Sequence, residues 1–128
     1  MNDKQILKLT TPLPPSVNNA YMKTNQRYKI KSAKTCTWIH AARMIAQKEC
    51  RNQMWKCSKD EKIVMELTVF WGNNRRQDVH NLHKISADAL QGIVYEDDRW
   101  LLIRDINFSV DKKTPRAEFV FYRLEDKE

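Results

Sequence analysis

The chain is 128 residues long, enough for a single domain (1–128) with its own core and too short for two. Its 41% hydrophobic and 30% charged residues describe a globular chain and exclude a disordered one. No apolar run is long enough to span a bilayer, so a cytoplasmic protein without a membrane role is expected. Lys and Arg number 23 against 16 Asp and Glu. The resulting formal charge of +7 favours a polyanionic partner, nucleic acid before membrane, because the aromatic residues do not gather on a basic amphipathic helix. The charge alone is equally compatible with a modestly basic protein that has an unrelated partner. The three cysteines, Cys36, Cys50 and Cys57, have no CxxC or Cys/His spacing, which argues against a disulfide scaffold or a zinc finger.

From the amino terminus, Gln5 to Leu13 reads as a short strand closed by Pro12, Pro14 and Pro15, which can continue neither a ladder nor a helix. Ser16 to Lys31 is polar and without periodicity, as a working loop would be. In it Asn18, Asn19, Lys23, Arg27 and Lys29 alternate with Tyr21 and Tyr28, a pattern suited to gripping phosphates and stacking on bases. A solvated loop whose tyrosines fold back on the core is the other account. Ser32 is an N-cap for a helix from about Ser32 to Met54, with Trp38, Ala41, Ala42, Ile45 and Ala46 at helical spacing. After a turn at Lys59 to Lys62, Ile63 to Trp71 is the clearest strand, with its odd-numbered residues on one apolar face. A basic loop, Gly72 to Gln77, leads into a second helix, Asp78 to Gln91, for which Gly92 is a natural C′ residue. Strands follow at about Trp100 to Val110 and Arg116 to Leu124, and the Asp-Lys-Lys-Thr-Pro turn between them predicts a hairpin. The order β-α-β-α-β-β predicts an α+β fold, a mixed sheet with two helices packed on one face.

Four polar residues of the second helix call for an account: Asp78, Asn81, Lys84 and Asp88. At ~3.6 residues per turn, the last three share one side, opposite the stripe of Val79, Leu82, Ile85 and Ala89. Asp78 stands at the helix start, where a carboxylate serves as a cap and suits the helix dipole. The acidic pair Asp97 and Asp98 stands where the next strand begins. One reading is structural: a cap, a solvated face and a turn. The other is chemical. Carboxylates at a strand start and a helix start approach each other and hold Mg²⁺ or Mn²⁺ through oxygen. Lys84 then stabilises charge developing on a phosphate, while Arg75 and Arg76 hold its neighbours. Spacing leaves both readings open.

The motifs Pro12 to Asn19 (PLPPSVNN), Arg75 to Lys84 (RRQDVHNLHK), Asp88 to Leu90 (DAL) and Glu96 to Asp98 (EDD) resemble those of the RusA family of Holliday-junction resolvases of bacteria and their phages. The resemblance covers nearly the whole chain. It implies a homodimer that cuts branched, four-way DNA symmetrically with Mg²⁺ or Mn²⁺, and it suggests a prophage origin. By position Asp78 matches the first catalytic aspartate, Asp98 the catalytic aspartate of the paired motif, Lys84 the essential lysine and Asn81 the motif asparagine.

The family's second helix-start aspartate is His80 here. This removes a negative charge from the expected metal site of Asp78, His80 and Asp98. An imidazole can still ligate, which favours Mn²⁺, or it can assist proton transfer. Alternatively the site is weakened, leaving a junction-binding homodimer that cuts poorly or not at all. His83 reads as a surface histidine, and His40, on the first helix, needs no function.

Overall fold

The computed structural model describes residues 5–15, 21–22, 30–75 and 77–124. Strand β1 (Ile6–Thr11) buries Leu7, Leu9 and Thr11 and turns the alternate residues outward. Helix α1 (Ala33–Asn52) starts where the sequence predicts: the Ser32 hydroxyl accepts the Thr35 N–H at 3.2 Å. Its buried residues Thr35, Trp38, Ala42 and Ala46 follow helical spacing. The Trp38 indole N–H donates to the Pro12 carbonyl at 2.8 Å, tying the helix to the end of β1. At the helix's other end the Gln53 amide both donates to and accepts from the Lys8 backbone at 2.8 Å, covering part of the free edge of β1. Short strands β2 (Tyr21–Met22) and β3 (Ile30–Lys31) pair antiparallel in a segment whose sequence suggests only loop.

Strand β4 (Ile63–Trp71) is the most deeply buried element, with Ile63, Val64, Met65, Leu67 and Val69 fully covered. Such a strand needs a neighbour on each side, and it has two: β5 (Leu101–Val110) in parallel and β6 (Arg116–Arg123) antiparallel. The sheet order is β1-β6-β4-β5. The hairpin expected of the last two strands is therefore not formed, because β4 lies between them. The Asp-Lys-Lys-Thr-Pro turn does reverse the chain, but across the end of β4: Asp111 N–H donates to Trp71 O at 2.8 Å. The Asp111 carboxylate accepts an Arg116 N–H and the Thr114 and Lys113 backbone N–H groups, and the Arg116 bond first of all holds its pKa below the usual carboxylate range. Pro115 packs so closely over Gly72 that a Cβ there would lie 3.0 Å from the proline ring.

Helix α2 (His83–Leu90) connects β4 to its parallel neighbour β5. It is preceded by a 3₁₀ turn, Val79–Leu82, where the sequence predicts continuous α-helix. Three residues per turn set Val79 and Leu82 one above the other, and both are buried against the sheet. The predicted stripe holds: Val79, Leu82, Ile85 and Ala89 are all buried. Gly92 has φ +89°, as a C′ residue requires, and Arg43 of α1 donates to the Ala89 and Gln91 carbonyls at 2.8 and 3.0 Å. Both helices share one apolar core with the inward faces of β1, β4 and β6, an α+β fold with a mixed sheet. All three cysteines are free, and burial pushes the Cys50 thiol up to about 11, helped by Cys57 and Glu49, which keeps it unreactive. Among the described residues no helix is long and apolar enough to cross a membrane.

Candidate active site

The start of the α2 segment carries the first predicted group. Asp78 occupies the cap position of the 3₁₀ turn, and its backbone carbonyl accepts the Asn81 N–H at 3.1 Å, but its side chain makes no capping bond. The carboxylate is exposed and has no hydrogen-bond partner among the described residues. It borders a cavity of about 390 Å³ formed with Trp71, Arg75, Gln77 and Phe108. Burial of Val79 turns His80 outward, and Lys84 is exposed one turn further on. Asn81 is half-buried beside them. Another cavity, of about 660 Å³ between Met54, Trp55 and Ile93, is lined by no carboxylate among the described residues and is not this site.

The second predicted group lies elsewhere. Asp97 and Asp98 open a 3₁₀ turn, Asp98–Trp100, that leads into β5. Asp97 is the cap, accepting the Arg99 N–H at 3.0 Å. Asp98 is half-buried, and its backbone N–H donates to Gln91 Oε1 at 3.1 Å, beyond the carboxyl end of α2. Buried Tyr95 fixes this corner by donating to Ala87 O at 2.6 Å. Burial first, and then the charges of Asp98 and Asp88, keep that phenol protonated.

Asp78 and Asp98 thus stand at opposite ends of α2. Asp78 lies beside Trp71 and Val110, whereas Leu101, just after Asp98, pairs with Ile63 at the other end of β4. The rise of a helix of this length and of the strands beneath it separates them by roughly 20 Å. The expected meeting of a strand-start and a helix-start carboxylate does not occur within the chain. A parallel crossover is the reason: the helix between two parallel strands runs back over the sheet, so its start lies far from the start of the following strand. Asp78, His80 and Asp98 accordingly form no metal cage, and no three acidic, imidazole or thiol side chains among the described residues do. Among the described residues, one chain alone brings no three such donors together.

What the structure does gather beside Asp78 is a group the sequence reading missed. His83 Nε2 lies 2.7 Å from Asp105 Oδ1, and His80 Nε2 lies 3.8 Å from Asp105 Oδ2. The two rings meet edge to face with centroids 5.3 Å apart. His83 is not the free surface histidine of the sequence reading; its side chain is only 23% exposed and shares a carboxylate. Strand alternation held the signal: Leu101, Ile103 and Asp105 share the helix-facing side of β5, and a carboxylate in that register needs a partner.

The sequence profile described as Endodeoxyribonuclease RusA matches residues 12–120. The chain belongs to the RusA endodeoxyribonuclease family. Comparison with curated proteins gives no match. The RusA match takes in every element from α1 to β6 up to Val120, including Asp78, Lys84 and Asp98. Of the expected DNA-contacting residues, Arg75 is exposed at the rim of the Asp78 cavity. Asn18, Asn19, Lys23, Arg27, Lys29 and Arg76 lie outside the described residues.

Proposed function

We propose that the chain is a structure-specific endodeoxyribonuclease of DNA recombination and repair. In this reading it resolves four-way (Holliday) junctions by paired phosphodiester cuts, as a cytoplasmic homodimer using Mg²⁺ or Mn²⁺. The observation that carries the reading is the state of the carboxylates. Asp78 and Asp98 each stand at a 3₁₀ turn without serving it, whereas Asp97 does the capping. The free Asp78 carboxylate, with exposed Arg75 at the same cavity and exposed Lys84 on the same segment, on a chain of charge +7, suits a phosphodiester better than a structural task.

The remaining roles follow from side-chain chemistry. Lys84 sets a positive charge where charge grows on the phosphate in the transition state. Arg75 and Asn81 orient the flanking backbone. The carboxylates of Asp78 and Asp98 are the groups that would hold a divalent ion, which would supply charge neutralisation at the phosphate and a more acidic water.

Cleavage of a four-way junction, a duplex and a single strand of the same sequence, with Mg²⁺, Mn²⁺ or EDTA, tests the reading. Paired nicks confined to the junction and lost in EDTA are expected. Tight junction binding without nicking in either metal would instead support a junction-binding homodimer disabled at position 80. What favours that second reading is a neutral imidazole, 82% exposed, where the family has a carboxylate.

A further inference from the structure

We infer that a second cavity, next to the one at Asp78, takes one unpaired base of the DNA strand held there, and that Gln77 reads an amino group on that base. This rests on the proposal that the chain binds branched DNA at Asp78 in order to cut it. The second cavity holds about 310 Å³ between Pro14, Pro15, Lys34, Trp38, Trp71 and Gln77. That is the small end of the range for ligand sites, suited to one flat ring system. Trp71 and Gln77 line both cavities, so a strand lying against Asp78 passes the mouth of the second.

Its walls are apolar and held in place. The Trp38 indole is fixed by its bond to the Pro12 carbonyl, and the backbone of Pro14 and Pro15 is stiff at φ. The polar wall is fixed as well. Asn73 Oδ1 accepts the Arg75 backbone N–H at 3.0 Å and the Gln77 side-chain N–H at 3.2 Å. One carbonyl thus shapes the 73–77 turn and engages the amide nitrogen of Gln77. Gln77 Oε1 is left as an acceptor, with no donor to it among the described residues. Apolar walls with one directed polar group are the makings of a selective site. A free acceptor selects a donor. Cytosine N4 and adenine N6 are amino donors, whereas thymine O4 and guanine O6 put an oxygen in the same place. The expected occupant is therefore cytosine or adenine.

The surrounding charge fits a nucleotide. Lys34 is exposed at this cavity and Arg75 at the adjoining one, and cations on two sides suit the phosphates flanking one base. Taking a base out of a duplex costs its pairing and stacking, and the cost is least where the base is already unpaired. A branch point interrupts the stack. A pocket that must be filled before the strand settles against Asp78 would make cutting depend on DNA shape and on sequence together.

A set of four-way junctions tests this. Each position near the branch carries in turn cytosine, adenine, thymine, guanine or an abasic residue, with the opposite strand changed in step. Single-turnover nicking and gel shifts are measured on every member. At one position in each cut strand, cytosine and adenine should be nicked about ten-fold faster than thymine and guanine, the worth of one hydrogen bond, and the abasic residue slowest. Gln77→Leu removes the acceptor and keeps the bulk. It should abolish the preference at that position, with an unchanged circular-dichroism spectrum. Equal rates at every position, the abasic residue included, overturn the pocket and leave the nuclease reading in place. A preference for thymine or guanine, or one that survives Gln77→Leu, overturns Gln77 as the reader. If no junction is nicked with Mg²⁺ or Mn²⁺, the nuclease reading fails by itself, and the gel shifts decide the pocket. Affinity that follows the same base order and loses it in Gln77→Leu supports the pocket, and affinity blind to the base overturns it.

Discussion

The Asp97 side chain accepts the Arg99 N–H at 3.0 Å, while Asp98, its neighbour, accepts no hydrogen bond from a described residue. Under the proposed function this difference makes Asp97 the structural carboxylate of the pair and leaves Asp98 for chemistry. Asp97→Ala should cost about 1 kcal/mol, the usual worth of a cap, and retain cleavage. Asp98→Asn and Asp78→Asn should keep the fold, abolish cleavage and bind the junction as tightly as the parent or tighter, since each removes a charge that repels phosphate. Thermal melts paired with gel shifts and nicking assays check this, and an inactive but stable Asp97→Ala protein would reverse the assignment within the pair. At position 80 the imidazole favours a softer ion. His80→Asp should therefore raise the ratio of Mg²⁺- to Mn²⁺-supported nicking by about ten-fold, in line with what one altered neighbour does at metal sites. An unchanged ratio would make His80 a bystander.

Gly72 shows how a connection settles the order of a sheet. The 111–115 segment crosses the end of β4, and Pro115 lies where a Cβ at position 72 would meet it at 3.0 Å. Gly72→Ala should destabilise by about 1–3 kcal/mol, the range for overpacking, and Pro115→Ala should recover part of the loss in the double mutant. Additive losses in denaturant melts would show that the two residues do not interact. Local signals of this fold were legible: the Ser32 cap, the Gly92 C′ position and the alternation of β4 are each set within a few residues. The pairing of β5 and β6 was not, because a turn sequence specifies reversal and not which strands flank it. The site divides in the same way. The proposed site residues Asp78, Lys84 and Asp98 were singled out by family resemblance, but their distance was not legible, since closeness in sequence says nothing about the ends of a crossover helix. Asp105 was hidden for a related reason: its partner His83 comes from a different element.

A charge of +7 on a chain of this size makes binding to a four-way junction an electrostatic event first. Each phosphate neutralised by Lys or Arg releases condensed counterions, so the logarithm of affinity falls linearly with that of salt. The proposed two-fold dimer would double the basic surface offered to the junction. Its binding should therefore weaken steeply, by about a thousand-fold or more between 50 and 200 mM salt if six or more phosphates are held. Lys84 tests how far catalysis can be separated from this bulk attraction. It is one cation among many for binding, so Lys84→Ala should lower affinity modestly and flatten the salt slope by about one ion. For chemistry it is the cation on the same turn-and-helix segment as Asp78, so the same variant should lose nicking by about a hundred-fold or more, the scale seen when a single charge-stabilising donor is removed. Measuring Kd by gel shift across a salt series and single-turnover nicking at saturating protein separates the two effects. Equal losses of affinity and rate would reduce Lys84 to a phosphate contact, and the transition-state charge would then need another source, with Arg75 at the rim of the Asp78 cavity the first residue to substitute.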